Sequence, residues 1–191
     1  MRRCSRVAVV GLGVALLLQS GAALGDVLKR TDAVGDVWRS PIGSSAYVPA
    51  PTRIEGDILS SRVSHGPHAI WIGIRLRDLT TTSQGNFTKL SLQSDRRFRT
   101  VEIDAFPGHW DGTAVTTTAR GRAVGCAVTH RIDYDRNRIV VRVPRACLGR
   151  HPAWVRVAIR TTVAGTRYAY TDDARTTGLV APVVYGRRVR R

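Results

Sequence analysis

The chain has 191 residues, 43% of them hydrophobic, with 30 basic and 14 acidic residues and a formal net charge of +16. That length supports one domain with a sizeable core. Of the three cysteines, Cys4 precedes the first apolar run, and the two that remain, Cys126 and Cys147, cannot alone make a closed zinc site, with no paired histidines flanking them.

Arg2, Arg3 and Arg6 precede an apolar run from Val7 to Leu18, and small residues follow at Ala22, Ala23 and Gly25. This order reads as a secretory signal peptide over 1–25, with a secreted, extracellular mature protein from Asp26. The run is too short for a membrane span, which needs about 20 apolar residues. Removing it leaves 27 basic against 14 acidic residues, a net of +13. Only Lys29 and Lys89 are lysines. Two readings of this charge stand. One is compositional bias towards arginine; the other is attraction to an anionic cell-envelope polymer or glycan, with no specific nucleic acid implied.

Period-two alternation dominates the rest, with turn residues between runs, and no sustained helical period occurs. Leu59 and Val63 share one face of a strand over 58–64, and His65-Gly66-Pro67-His68 turns the chain. Ile70, Ile72, Ile74 and Leu76 then face a core, with Trp71, Gly73, Arg75 and Arg77 outward. Strands are expected over 87–93 and 98–104, joined by the polar 94–97 link, and a threonine-rich edge strand over 113–119. Val155, Val157, Ile159 and Val163 form another inward face. Ala164-Gly165 then leads into 166–171, with Tyr168 and Tyr170 on one side. Short strands at this spacing predict an all-β fold, an antiparallel, jelly-roll-like sandwich over 26–180. A basic tail follows over 181–191, frayed from Gly186 to Arg191.

Cys126 and Cys147 remain as an even pair after signal removal, and a disulfide is expected. Arg136-Asn137 as a two-residue hairpin loop places Ile132 opposite Val141 and His130 opposite Val143. The same register sets the two cysteines against each other, and Arg131 against Arg142, a like-charge pair that repels. Arg131, Arg142, Arg156 and Arg160 are the anion-binding candidates, beside the alternative of a solvated arginine face. Trp71, Trp110 and Trp154 are the glycan-stacking candidates, beside the alternative of ordinary amphipathic packing.

Asp32, Asp36, Asp57, Asp172 and Asp173 lie at predicted strand ends. Meeting there, they would supply hard oxygen ligands for calcium; the alternative is that they cap turns and pair with arginines. Otherwise no cofactor is implied. No G-x-S-x-G occurs, Glu55 and Glu102 are the only glutamates, and the histidines are scattered, so no enzyme is expected. Asn86-Phe87-Thr88 matches a glycosylation sequon.

Asp32-Ala33-Val34-Gly35-Asp36, Gly56-Asp57-Ile58 and Leu76-Arg77-Asp78-Leu79 resemble the opening of DOMON-like sandwiches and family-nine-type carbohydrate-binding modules. The same order, with Cys126, Cys147 and Tyr170-Thr171-Asp172-Asp173-Ala174, is similar to uncharacterised secreted β-sandwich proteins of high-GC bacteria. The resemblance spans most of 26–178. It implies a noncatalytic module binding sugar or haem. Haem would want a methionine and a histidine, and Met1 is the only methionine, which leaves sugar and calcium.

Overall fold

The computed structural model describes residues 25–177 and 183–191. The expected signal segment up to residue 24 lies outside them. No helix among the described residues is long and apolar enough to cross a membrane.

Among the described residues the chain forms thirteen strands: β1 Val27–Thr31, β2 Trp38–Pro41, β3 Val48–Pro49, β4 Ile58–His65, β5 Ala69–Leu76, β6 Gly85–Ser94, β7 Phe98–Phe106, β8 His109–Thr117, β9 Thr129–Asp133, β10 Arg138–Pro144, β11 Trp154–Ala164, β12 Tyr168–Asp173 and β13 Val189–Arg190. All pair antiparallel. One sheet has the order β1-β4-β5-β10-β9, and the other β3-β2-β12-β11-β6-β7-β8. The fold is an antiparallel β-sandwich.

The alternation explains why these segments are strands. Ile70, Ile72, Ile74 and Leu76 on β5 and Ile139, Val141 and Val143 on β10 are buried. They share one core with Leu90 and Leu92 on β6, Val101 and Ile103 on β7, and Val155, Val157 and Ile159 on β11. Each such side chain contributes about 1.5–3 kcal/mol on burial. The residues between them face outward, so the core placement also decides where the charges go.

Three local expectations are corrected. On β4 a bulge between Ile58 and Ser60 makes Leu59 the extra residue, so Ile58, not Leu59, shares the core face with Val63. In the β9–β10 hairpin Ile132 pairs with Ile139 and His130 with Val141, two residues from the expected register. The turn over residues 134–137 takes four residues, with Asn137 at φ 50° and its Oδ1 accepting from the Leu79 N–H. A two-residue slip keeps every side chain on its face, so alternation alone cannot detect it. The chain end is not frayed either. Val189, 1% exposed, sits in the core, and β13 pairs with Trp154 and Val155 of β11.

Cys126 and Cys147 are bonded, with Cα atoms 5.7 Å apart. Cys147 lies on a 3₁₀ turn over Arg145–Leu148 that follows β10. That turn brings the cysteines together despite the altered register. The bridge closes 21 residues, and reducing it is expected to cost about 3 kcal/mol by the loop-entropy argument. Denaturant melts with and without reductant measure this.

His65 is fully buried, its Nδ1 3.3 Å from the Val189 carbonyl. Burial lowers its pKa from 6.5, and the charges of Arg145 and Arg191 add to this; the Val189 contact and Asp95 oppose it. Neutral His65 therefore supports the fold fully above about pH 6.5, and that support is lost as pH falls below this value. Acidification through this window should lower the melting temperature of the native chain relative to that of His65→Gln. Equal slopes would contradict the assignment.

Candidate functional site

The outer face of the five-stranded sheet carries a group of cations without ion-pair partners. Strand register sets its side chains in rows. One row runs Lys29, Arg62, Gly73, Val140, Arg131, and the next runs Thr31, Ser60, Arg75, Arg138, Asp133. A third runs Val27, Ser64, Trp71, Arg142, Thr129. Gly73 has no side chain, and the cations around it line an open trough, with Arg30 and Arg136 also on its wall.

The expected confrontation of Arg131 with Arg142 does not occur. Arg131 faces Val140 and bonds Asp133, while Arg142 faces Thr129 and lies 5.9 Å from the Trp71 ring centroid. The like-charge pair is Arg75 opposite Arg138. Among the described residues no carboxylate lies within 4.0 Å of the basic groups of Lys29, Arg62, Arg75 or Arg138. Asp133, next in the row, is bonded to Arg131 and Arg136. Sequence reasoning missed Lys29, Arg62, Arg75 and Arg138. The signal was present in the outward arginines of β5 and β10, but the pairing of β5 with β10 was needed to join them.

Arg156 and Arg160 belong to the other sheet and are already engaged. Arg156 donates twice to Gln93 Oε1, at 2.9 and 2.6 Å, and lies over Tyr185. Arg160 forms a two-point pair with Asp173, at 3.0 and 2.7 Å. The three candidate tryptophans are dispersed. Trp71 is 47% exposed on the trough face. Trp110 meets Tyr134 edge-on, and Trp154 lies under Arg188. Asn86 of the sequon is buried, and its Nδ2 donates to the Thr80 carbonyl.

A second cluster lies at one end of the sandwich. Asp36 follows β1 on the loop to β2, Asp57 immediately precedes β4, and Asp172 is on β12. One carboxylate oxygen from each lies within 4.8 Å of the others. Two glycines shape the approach. Gly35 adopts φ 80° and donates its N–H to Asp57 Oδ2 at 3.0 Å; a Cβ there would lie 2.8 Å from the Pro51 carbonyl oxygen. Gly56, at φ 80°, would bring a Cβ to 3.1 Å from Val163 Cγ2. A residue with a side chain fits neither position without strain.

Asp57 and Asp172 are 0% and 1% exposed. The Ile58 N–H donates to Asp172 Oδ2 at 2.7 Å, and Arg77 reaches Asp57 Oδ2 at 3.5 Å. The other oxygens, Asp57 Oδ1, Asp172 Oδ1 and both of Asp36, have no partner, and neither has Asp32 Oδ2. Burial, with the charges of Asp36 and Asp32 adding, pushes Asp172 up to about 8. Burial and the charge of Asp36 push Asp32 up to about 7, and burial with the Asp57 charge also raises Asp36. Of the five aspartates read as ligand candidates, Asp173 is the one diverted, into its pair with Arg160.

The two sets of arginines should separate in stability measurements. Arg160→Ala is expected to cost about 1 kcal/mol, because its hydrogen bonds to Asp173 are charge-assisted and partly shielded. Arg75→Ala should stay within about 0.5 kcal/mol of the native chain, since it is exposed and faces another arginine. Urea melts of the two variants decide this.

Comparison with known proteins gives no significant match to a family model, a curated protein or a solved structure, so the likeness to DOMON-like and family-nine-type modules rests on the short motifs alone.

Proposed function

We propose that this is a secreted, noncatalytic binding domain that holds an anionic polymer against the outer face of its five-stranded sheet. One observation carries the reading. Lys29, Arg62, Arg75 and Arg138 gather around the open floor at Gly73 and Val140, and although Asp135 also lines the trough, no carboxylate among the described residues lies within 4.0 Å of any of the four. Setting Arg75 across from Arg138 is unfavourable in the free protein. A bound carboxylate, sulfate or phosphate group relieves that repulsion, so the face is better suited to being occupied than to being bare. Arginine also presents a planar fork of donors to such groups.

Exposed Trp71, on the same sheet face two positions along β5 from Gly73, favours a polymer built from sugars, because an aromatic ring stacks on the apolar face of a pyranose. An anionic polysaccharide of the cell envelope satisfies both features. A neutral glycan bound through Trp71 alone is the second reading. Carbohydrate binding and export both accord with the sequence resemblance and the expected signal segment. The bridge between Cys126 and Cys147 accords with an oxidising compartment.

Salt separates the two readings. Charge-driven binding weakens as the screening length shortens, to about 8 Å at physiological ionic strength. The protein is expected to bind alginate, a carboxylated polysaccharide, at low salt and to release it at high salt. Arg62→Glu with Arg138→Glu should abolish this, whereas Arg156→Glu in the other sheet should leave it nearly intact. Salt-insensitive retention on a neutral glucan, lost in Trp71→Ala, would replace this reading with the second.

A further inference from the structure

We propose that Asp36, Asp57 and Asp172 bind one Ca²⁺, with Asp32 as a fourth carboxylate at the rim. The site lies apart from the basic trough and does not depend on the polymer reading. Three carboxylates converging within 4.8 Å would by themselves be only an acidic cluster. The second observation is the state of the buried oxygens. Asp57 and Asp172 each hold Oδ2 in contacts to the surrounding chain and leave Oδ1 without a partner. Both residues are almost wholly shielded from water. A protein does not ordinarily leave such oxygens unmatched, because the desolvated charge then has nothing to offset it.

Available cations do not fill the role. Arg77 reaches Asp57 from the Oδ2 side, and among the described residues no basic group lies within 4.0 Å of Asp36 or Asp172. In a chain with 30 basic residues, the cluster still has no guanidinium at its centre. The donor set is all oxygen and carries several negative charges, which suits a hard divalent cation. Ca²⁺ bonds to oxygen at about 2.3–2.6 Å, so ligands on opposite sides stand about 4.6–5.2 Å apart. The observed span fits within that sphere. Mg²⁺, at about 2.0–2.1 Å, would require its opposite ligands closer together.

The ligands come from three separate parts of the chain. Asp36 lies on the loop leading to β2, Asp57 sits at the entry to β4, and Asp172 is on β12. β4 belongs to one sheet and β2 and β12 to the other. One bound ion therefore ties the two sheets together at this end.

Thermal melts and calorimetry on the EDTA-treated full chain test the site. CaCl₂ at a hundredfold excess over Kd should raise the melting temperature by about 5–10 °C, through binding to the folded state only. Titration should saturate near one ion per chain, with a smaller response to MgCl₂. Asp36→Asn, at a half-buried position, should remove the shift while the chain still melts cooperatively. Asp172→Asn should also remove it, and Asp173→Asn should retain it. Alginate binding should persist in Asp36→Asn, which separates this site from the trough. No thermal shift and no heat at millimolar CaCl₂ would overturn the proposal. So would an undiminished shift in Asp36→Asn, and an equal response to MgCl₂ would overturn the assignment to calcium.

Discussion

The two sheets can meet only through faces free of charge, and this exclusion organises the rest of the molecule. Ile70, Ile72 and Ile74 on one side, and Leu90, Leu92, Val157 and Ile159 on the other, fill the interior. In a strand each inward residue fixes its neighbours outward. Charged residues are therefore confined to outer faces, edges and strand ends. Because basic residues outnumber acidic ones about two to one, many cations have no carboxylate to meet. The trough around Gly73 is where that surplus accumulates on one continuous surface. On the eight-stranded sheet Arg156 and Arg160 are instead engaged by Gln93 and Asp173, the second of which neutralises its partner.

The aspartate cluster goes against this arithmetic. Carboxylates are scarce in this chain, yet Asp57 and Asp172 are withdrawn from the surface where arginines abound. Their placement depends on backbone features that ordinary residues do not favour. Gly35 and Gly56 take left-handed conformations, and the bulge at Ile58–Ser60 begins immediately after Asp57. Bulges recur beside functional sites because they re-aim a side chain without ending a strand. The cluster combines unsatisfied carboxylates, unfavourable in isolation, with backbone turns that only glycine takes without strain.

The sandwich was readable because burial in a strand has a period of two, and β5 keeps that period from Ile70 to Leu76 while β11 departs from it only at buried Ala158. The disulfide was readable because only two cysteines follow the signal-like segment. The strand-end position of the aspartates was also visible, and so was the outward direction of Trp71 and Arg75. What escaped was whatever a period of two cannot encode. A slip by two residues in β9–β10 preserves every face, so Arg131 and Arg142 were expected as partners although they are not. The bulge on β4 changes parity without any glycine or proline at the bulge itself to announce it. The neighbours of a strand in its sheet are set by the whole packing. The joining of Lys29 and Arg62 to Arg75 and Arg138 thus became visible only with β1, β4, β5 and β10 side by side. Val189 lies within a run of arginines, and its composition concealed a core position.

The place of β13 has a consequence for how the chain reaches this state. Residues 189 and 190 complete an edge of β11 left open beyond β12, and the Asp26 N–H donates to the Arg190 carbonyl at 2.8 Å. The Ile58 N–H is bonded to Asp172, 114 positions further along the chain. Contacts this distant in sequence close late, because the intervening chain must lose its freedom first. During synthesis the early strands β1 and β4 can pair with each other, but the seam near His65 stays open until residues 189 and 190 arrive. A chain that lacks residues 189 and 190 therefore presents an unsealed apolar edge to aggregation or proteolysis.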